Sequence, residues 1–396
     1  VSHVFVAPGN AGTAQEKKVT NVALSGNDIP ALITFCKKEN ITLTVIGPEQ
    51  PLANGIVDEF KKHDLLCFGP TKKAAQLESS KQFAKDLMKK YNVPTADYKV
   101  CTSYQEAVEY LATQTFPIVL KADGLAAGKG VIIAQNKEEA LEALELFFVT
   151  KKFGPSGQKI IIEEFLEGPE LSFMVITNKY CTLSLETTQD YKKRDNNNKG
   201  PNTGGMGALC PSPYTTPELE KKIMKTIIIP TLQGLKKEGI VYTGFLYAGI
   251  ILTKDGPKVL EFNCRLGDPE TQSLLIRLDS DLYKLCSSIF NDTIHTTKVV
   301  WKPEKAVTVV LASGGYPNSY TKGNTITHNN ISDNIKLCHA GTILQNNKLV
   351  TSGGRVISVT ALGDTFEDAH NHAYQAVKNV SWNNMYYRTD IGTLNE

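Results

Sequence analysis

The sequence predicts a mixed fold, α/β in its first part and α+β towards its end, and three observations carry that reading. Short apolar runs alternate with helical patterns over residues 1–80, strand pairs joined by glycine-containing turns occupy the middle, and short strands followed by one helix fill the region after Trp301. Strands separated by helices pair in parallel, whereas neighbours joined by a tight turn pair antiparallel.

Composition bounds the answer further. The 396 residues are 41% apolar and 21% charged, an ordinary globular balance that supports roughly two to three domains. Lys plus Arg 43 against Asp plus Glu 41 leaves a net charge of +2, too little for the basic surface of a nucleic-acid binder. Eight cysteines without a C-x-x-C pair suit reduced thiols in the cytoplasm rather than a zinc site or a disulfide framework. No apolar stretch reaches the ~18 residues of a membrane span, and the start lacks the regions of a signal peptide. Because the chain opens at Val1 and runs at once into a strand pattern, a preceding segment is expected to be missing or processed.

The first domain, 1–80, should hold strands near 4–7, 43–46 and 65–68 and helices at 29–38 and 56–62. Each strand ends in a Gly/Pro turn, at Pro8-Gly9-Asn10-Ala11-Gly12, Gly47-Pro48-Glu49 and Gly69-Pro70, where open α/β sheets bind ligands. The second domain, 81–302, starts with a helix bearing Phe83, Leu87 and Tyr91 at spacing four after a capping Ser79. Residues 97–166 within it form a small α/β lid: a helix at 104–111, a hairpin of strands 117–123 and 131–134, a helix at 138–148 and a strand at 159–165. A helix at 218–237 leads to a second hairpin, 244–252 and 258–265, across Lys254-Asp255-Gly256-Pro257. The third domain, 303–396, has strands near 306–312, 342–344 and 356–361 and a helix at 366–380.

Several residues then suggest chemistry. Lys81 falls in the first turn of its helix, where the macrodipole disfavours a cation, so either an anionic ligand or solvent compensates it. The loop Gly124-Leu-Ala-Ala-Gly-Lys-Gly130 lets backbone N–H groups approach an anion, with Gly128, Lys129 and Gly130 at its crown. It is not a Walker A loop, because three residues rather than four precede the Gly-Lys pair and a strand follows. Alternation sets Lys121 beside Val119 and Asp123; if buried it needs an anionic partner, and at a sheet edge it would reach water.

In the strand 258–265, alternation sends Leu260, Phe262 and Cys264 to the core and Val259, Glu261, Asn263 and Arg265 to the opposite face. Glu261 and Asn263 are then adjacent hard oxygen donors, suited to a Mg²⁺ that keeps water and phosphate ligands, unless Glu261 instead pairs with Arg265. Arg265 precedes the exposed turn Gly267-Asp268-Pro269-Glu270 and suits a bidentate grip on a small carboxylate. The loop Asn202-Thr203-Gly204-Gly205-Met206-Gly207 offers several free N–H groups for an anion. The acids Glu163, Glu164, Glu167 and Glu170 serve either a ribose hydroxyl or a solvated linker. Cys264 reads as a core residue, and no thiol mechanism is expected.

Together these motifs resemble the glycinamide ribonucleotide synthetases, or phosphoribosylamine–glycine ligases, an ATP-grasp family of purine biosynthesis. The strings are APGNAGT at Ala7, GPE at Gly47, FGPT at Phe68, KADGLAAGKGV at Lys121, EEFLEG at Glu163, GPNTGGMGA at Gly200, YTGFLYAG at Tyr242, EFNCRLGDPETQ at Glu261 and GGYP at Gly314, and they span essentially the whole chain. The resemblance implies an ATP-grasp core with a mobile lid, a Rossmann-like N-terminal domain lacking its first strand, and a small C-terminal domain. It implies that glycine attacks the γ-phosphoryl of ATP and that 5-phosphoribosylamine then attacks glycyl phosphate. ATP would be held by Lys81, Lys121, Gly128, Lys129 and Gly130, by the backbone of Glu163, Glu164, Phe165 and Leu166, and by Glu170.

By the same resemblance Glu261 and Asn263 ligate Mg²⁺ or Mn²⁺, and Arg265, Asp268 and Glu270 belong to the glycine and ribosylamine site. Asp190, Lys192, Asn202, Thr203, Gly204, Gly205 and Met206 help line it, while Pro8, Gly9, Asn10, Gly12, Gly47, Pro48 and Glu49 face the ribosyl phosphate. Arg265, Asp190 and Lys129 are the expected catalytic residues. The family opens with a strand and a G-N-G-G-R-E-H loop that are not in this sequence, and Gln189-Asp190-Tyr191-Lys192-Lys193 stands where the family has Q-D-H-K-R. The expected partners are small molecules, with neither nucleic acid nor membrane, in a cytoplasmic monomer or a unit of a longer multifunctional chain. The competing readings are an inactive ATP-binding module and another ATP-grasp carboxylate–amine ligase.

Overall fold

The computed structural model describes residues 1–125, 130–329 and 334–393. It divides into two compact units, Val1–Thr42 with Leu183–Pro213 and Leu266–Glu396, and Leu43–Thr182 with Tyr214–Arg265.

In the first unit the strands Val4–Val6 and Val19–Asn21 pair in parallel, and Asp28 caps the helix Ile29–Lys38 by accepting from Ala31 N–H. The principal sheet runs in the order Gln189–Asp190, Gly207–Cys210, Lys305–Ser313, Arg355–Gly363, Ile335–His339, antiparallel throughout. On it lies the helix Phe366–Val377, opened by a Thr365/Asp368 capping box. Its buried Ala369, Ala373, Ala376 and Val377 recur at helical spacing and pack with Leu209, Val307, Val309, Leu311 and Val359. This C-terminal α+β arrangement follows the expected pattern, with longer strands than the sequence marks.

The second unit holds the parallel pair Thr44–Val45 and Cys67–Phe68 and a sheet ordered Tyr98–Cys101, Ile160–Glu164, Ile118–Ala122, Val131–Ala134. The helices Tyr104–Leu111 and Lys137–Leu144 bury Ala107, Leu111, Ala140, Ala143 and Leu144 against Leu120, Ile160 and Ile162. A further antiparallel sheet joins Glu170–Thr177 to Gly244–Thr253 and that strand to Gly256–Asn263.

Some local expectations need correction. The cap of the lysine helix Lys81–Lys90 is Ser80, which accepts from Phe83 N–H, because Ser79 already closes the short helix Gln76–Ser79. Helix Glu49–Asn54 and strand Val19–Asn21 are additional elements, too short to show a period. The helix expected at 218–237 contains a π turn, Met224–Ile228, just before Pro230, which cannot donate into the helical ladder. Finally, strict alternation fails in Gly256–Asn263: Gly249 faces Glu261 while Ile250 faces Val259, leaving Leu260 as a bulged residue. Val259 therefore turns into the core, fully buried, instead of sharing the face of Glu261.

Candidate active site

In the second unit, lysines converge. Lys81 and Lys85 are four apart on one helix face, and Lys121 stands in an interior strand, buried at 7% exposure. Between them Glu163, 2% exposed, accepts from Lys85 and Lys121 through one oxygen, Oε2, at 2.9 Å from each Nζ. Its other oxygen is buried and has no hydrogen-bond partner among the described residues. Lys85 is further held by Thr95 Oγ1 and Ala96 O at 2.8 and 3.3 Å. Lys121 also donates to the carbonyl of bulged Leu260 at 3.2 Å. Lys81 donates to Gly124 O at 3.0 Å.

Burial lowers the pKa of Lys81, and Lys121 beside it adds to the shift, while Glu261, Asp123 and Glu163 oppose it. Burial brings Lys85 down to about 8 despite the pull of Glu163. Lysines held against burial with one directly shared carboxylate favour an incoming anion.

The Glu163 backbone lies in the sheet between Tyr98 and Val119, Glu164 N–H donates to Asp97 O, and the Glu163 side chain is taken up by Lys85 and Lys121. Phe165 and Leu166 follow the strand half-buried, Glu170 is exposed, and buried Gly130 accepts from Ala122 N–H as the hairpin closes. Gly128 and Lys129 lie outside the described residues.

At the end of Gly256–Asn263, Glu261 and Asn263 do share a face. Asn263 Oδ1 accepts from Arg265 Nη2 at 3.2 Å. Arg265 pairs with Glu78 at 2.9 Å and lies 3.7 Å from Glu49. The Glu49 carboxylate thus sits beside the Arg265 guanidinium. Gly47 and Pro48 before it are exposed. Among the described residues no group of three or more His, Cys, Asp or Glu side chains could hold a metal. Glu261 and Asn263 form a two-donor set of the kind Mg²⁺ uses when phosphate oxygens and water complete its shell.

In the first unit the loop Asn202 to Gly207 is not the open amide cradle expected. The N–H groups of Thr203, Gly204, Gly205 and Met206 go to Lys192 O, Tyr316 Oη, Thr203 Oγ1 and Tyr191 O. Gly205 has φ +108°, and a Cβ there would lie 2.3 Å from Pro269 Cδ and 2.7 Å from Asp190 Oδ1, so glycine lets Asp190 approach the loop. Arg355 ties this loop to the next: Nη1 donates to Gly204 O and, at 2.7 Å, to Asp268 O, and Nη2 meets Asp268 Oδ2 at 2.6 Å. Glu270, expected on an exposed turn, is 3% exposed at the start of the helix Glu270–Arg277.

The turn at Pro8 to Gly12 is likewise internally bonded. Asn10 Oδ1 accepts from the N–H groups of Gly12 and Thr13, and its Nδ2 donates to His339 O. Asn10 therefore shapes the turn, and Gly9, Gly12 and Pro8 form its backbone. Of the residues sequence reasoning passed over, Lys85 was signalled by its spacing from Lys81; Glu78 and Arg355 carried no local signal, their partners being 186 and 87 residues away.

The chain matches the Phosphoribosylglycinamide synthetase N domain over residues 1–78, its ATP-grasp (A) domain over 79–271 and its C domain over 306–394. It belongs to the phosphoribosylglycinamide synthetase family. A phosphoribosylamine–glycine ligase of Vibrio parahaemolyticus is 46% identical over 395 residues, 99% of this chain and 92% of the relative. The crystal structure of the phosphoribosylamine–glycine ligase of Thermotoga maritima superposes with a TM-score of 0.82 at 34% identity, covering 98% of this chain and 93% of that one. The biotin carboxylase domain of Hydrogenobacter thermophilus 2-oxoglutarate carboxylase, at 16% identity, TM-score 0.70 and coverage of 96% and 85%, shares the fold. The synthetase family thus has here its ATP-grasp core with N-terminal and C-terminal domains, and the converging lysines, Glu163, Glu261 and Asn263 all fall in the ATP-grasp match.

Proposed function

We propose that this chain is an ATP-dependent ligase that joins glycine to 5-phosphoribosylamine, giving glycinamide ribonucleotide, ADP and phosphate in purine biosynthesis. The observation that carries the reading is the convergence of Lys85 and Lys121 on a single carboxylate oxygen of Glu163, with Lys81 one turn from Lys85 on the same helix, in a family whose central domain is an ATP-grasp domain. In this proposal Lys81, Lys121 and Lys129, with Gly128 and Gly130, meet the phosphates of ATP, and residues 163–166 with Glu170 take its nucleoside. Glu261 and Asn263 would hold Mg²⁺ or Mn²⁺, which when bound neutralises charge on the transferring phosphoryl group.

The chemistry needs positioning rather than a protein nucleophile. A carboxylate oxygen of glycine attacks the γ-phosphorus, the bond to ADP breaks, and glycyl phosphate forms. The ribosylamine nitrogen then attacks the acyl carbon, phosphate leaves, and the nitrogen gives up a proton, for which Asp190 is the assigned acceptor. Arg265 orients the glycine carboxylate. Asp268, Glu270, Lys192 and the Asn202–Met206 loop shape the acceptor side, with the turns 8–12 and 47–49 next to it in role. The division into 1–80, 81–302 with a lid at 97–166, and 303–396, and a cytoplasmic location, belong to the same reading. The test is ADP release with ATP, Mg²⁺ and glycine, with and without freshly generated 5-phosphoribosylamine, and identification of the product by mass. Release requiring both substrates is expected; release indifferent to glycine would refute the proposal.

A further inference from the structure

Glu78 lies on the short helix Gln76–Ser79, immediately before the cap and first lysine of Lys81–Lys90. Its side chain is 7% exposed, and both oxygens are engaged at consecutive residues of one strand end: Oε1 meets Arg265 Nη2 at 2.9 Å, and Oε2 accepts from Cys264 N–H at 2.8 Å. Those residues directly follow Asn263. The same Nη2 group donates onward to Asn263 Oδ1, and Glu49 Oε2 lies 3.7 Å from Arg265 Nε. A long, flexible arginine is in this way fixed from more than one side, and the fixing group reaches it from a different element.

A carboxylate in that position is not a neutral choice for stability. Burial raises its pKa to about 6, with Arg265 and the Cys264 N–H pulling it back and Glu49 and Glu261 adding to the rise. A group retained at such a cost, with both oxygens used on Arg265 and its neighbour, is more economically explained by what it holds in place than by a contribution to folding.

We propose that Glu78 is a positioning residue of the ligase, fixing the Arg265 guanidinium so that it meets the carboxylate of glycine. This inference rests on the function proposed above. Carboxylate recognition by arginine depends on the orientation of its planar fork, and a displacement of about 1 Å at such a group can cost on the order of a hundredfold in rate.

The test uses the full chain and the variants Glu78→Gln and Glu78→Asp, with the thermal transition of each recorded as a control of folding. Kinetics are measured against glycine and against ATP separately, and ATP affinity is measured independently with a fluorescent nucleotide. Glu78→Gln, which keeps the size but removes the charge and turns one of the two accepting oxygens into an N–H donor, is expected to raise KM for glycine by about tenfold or more. KM and affinity for ATP should stay within about twofold, and Glu78→Asp should recover part of the loss. An unchanged glycine KM in a folded Glu78→Gln variant, or equal losses against glycine and ATP, would overturn the assignment while leaving the ligase reading intact. Absence of glycine-dependent turnover in the unmodified chain would instead remove the ligase reading, and this inference with it.

Discussion

Replacing Glu163 with Gln removes the charge that Lys85 and Lys121 share while keeping the shape of the side chain. Both Nζ atoms lie 2.9 Å from the same oxygen, a separation worth about 6 kcal/mol of gross attraction per pair at an effective dielectric near 20. Most of that is offset by desolvation, and breaking a buried pair by removing one partner costs about 3–5 kcal/mol net. Lys85 limits its own share. With its pKa already down at about 8, it escapes at pH 7 by releasing a proton, which caps its part of the loss at about 1 kcal/mol. The remainder falls on Lys121.

The pH dependence follows from the same numbers. A lysine whose folded pKa is about 8 rather than 10.5 binds fewer protons when folded. Its cost of about 3 kcal/mol is therefore fully present below pH 8 and is relieved as pH rises from 8 to 10.5. By pH 9.5 Lys85 is largely neutral with or without Glu163, so the destabilisation by Glu163→Gln should shrink by about 1 kcal/mol between pH 7 and 9.5. Chemical denaturation at the two pH values, extrapolated to water, measures both quantities. A loss under about 1 kcal/mol at pH 7, or one that grows at pH 9.5, would refute the reasoning.

Other outcomes follow from the same geometry. Arg355→Ala leaves Gly204 O and Asp268 without their shared donor and should cost about 2–3 kcal/mol, with KM for the ribosylamine rising more than KM for ATP; equal changes in both would count against it. Gly205→Ala forces a side chain into φ +108° and onto Pro269, so a loss of about 2 kcal/mol or more is expected in thermal unfolding, and a neutral result would mean that the loop relaxes freely. Glu261→Gln should lower metal-supported turnover at least about a hundredfold with an unchanged melting transition; retained activity would take Glu261 out of the metal set.

The helix Phe366–Val377 and the hairpin Gly244–Thr253/Gly256–Asn263 announce themselves because burial of one face imposes a period on nearby residues. The bulge at Leu260 does not, since one extra residue leaves composition unchanged yet moves Val259 to the other face. The Asn202–Gly207 loop looks like a set of open amides until Tyr191, Lys192 and Tyr316 are placed against it. Backbone donors seek partners wherever the chain supplies them, and Tyr316 comes from 112 residues away.

By itself, then, the order of residues determined the family and the alternation of elements, and it singled out Lys81, Lys121, Glu261, Asn263 and Arg265 as candidates, because motifs and periodicities are local properties of a chain. Only the tertiary structure decided that Glu163 serves two lysines through its side chain, that Glu78 holds Arg265 and that Arg355 joins two loops. Buried charges need partners, and a partner is chosen by distance in space, which sequence separation does not measure.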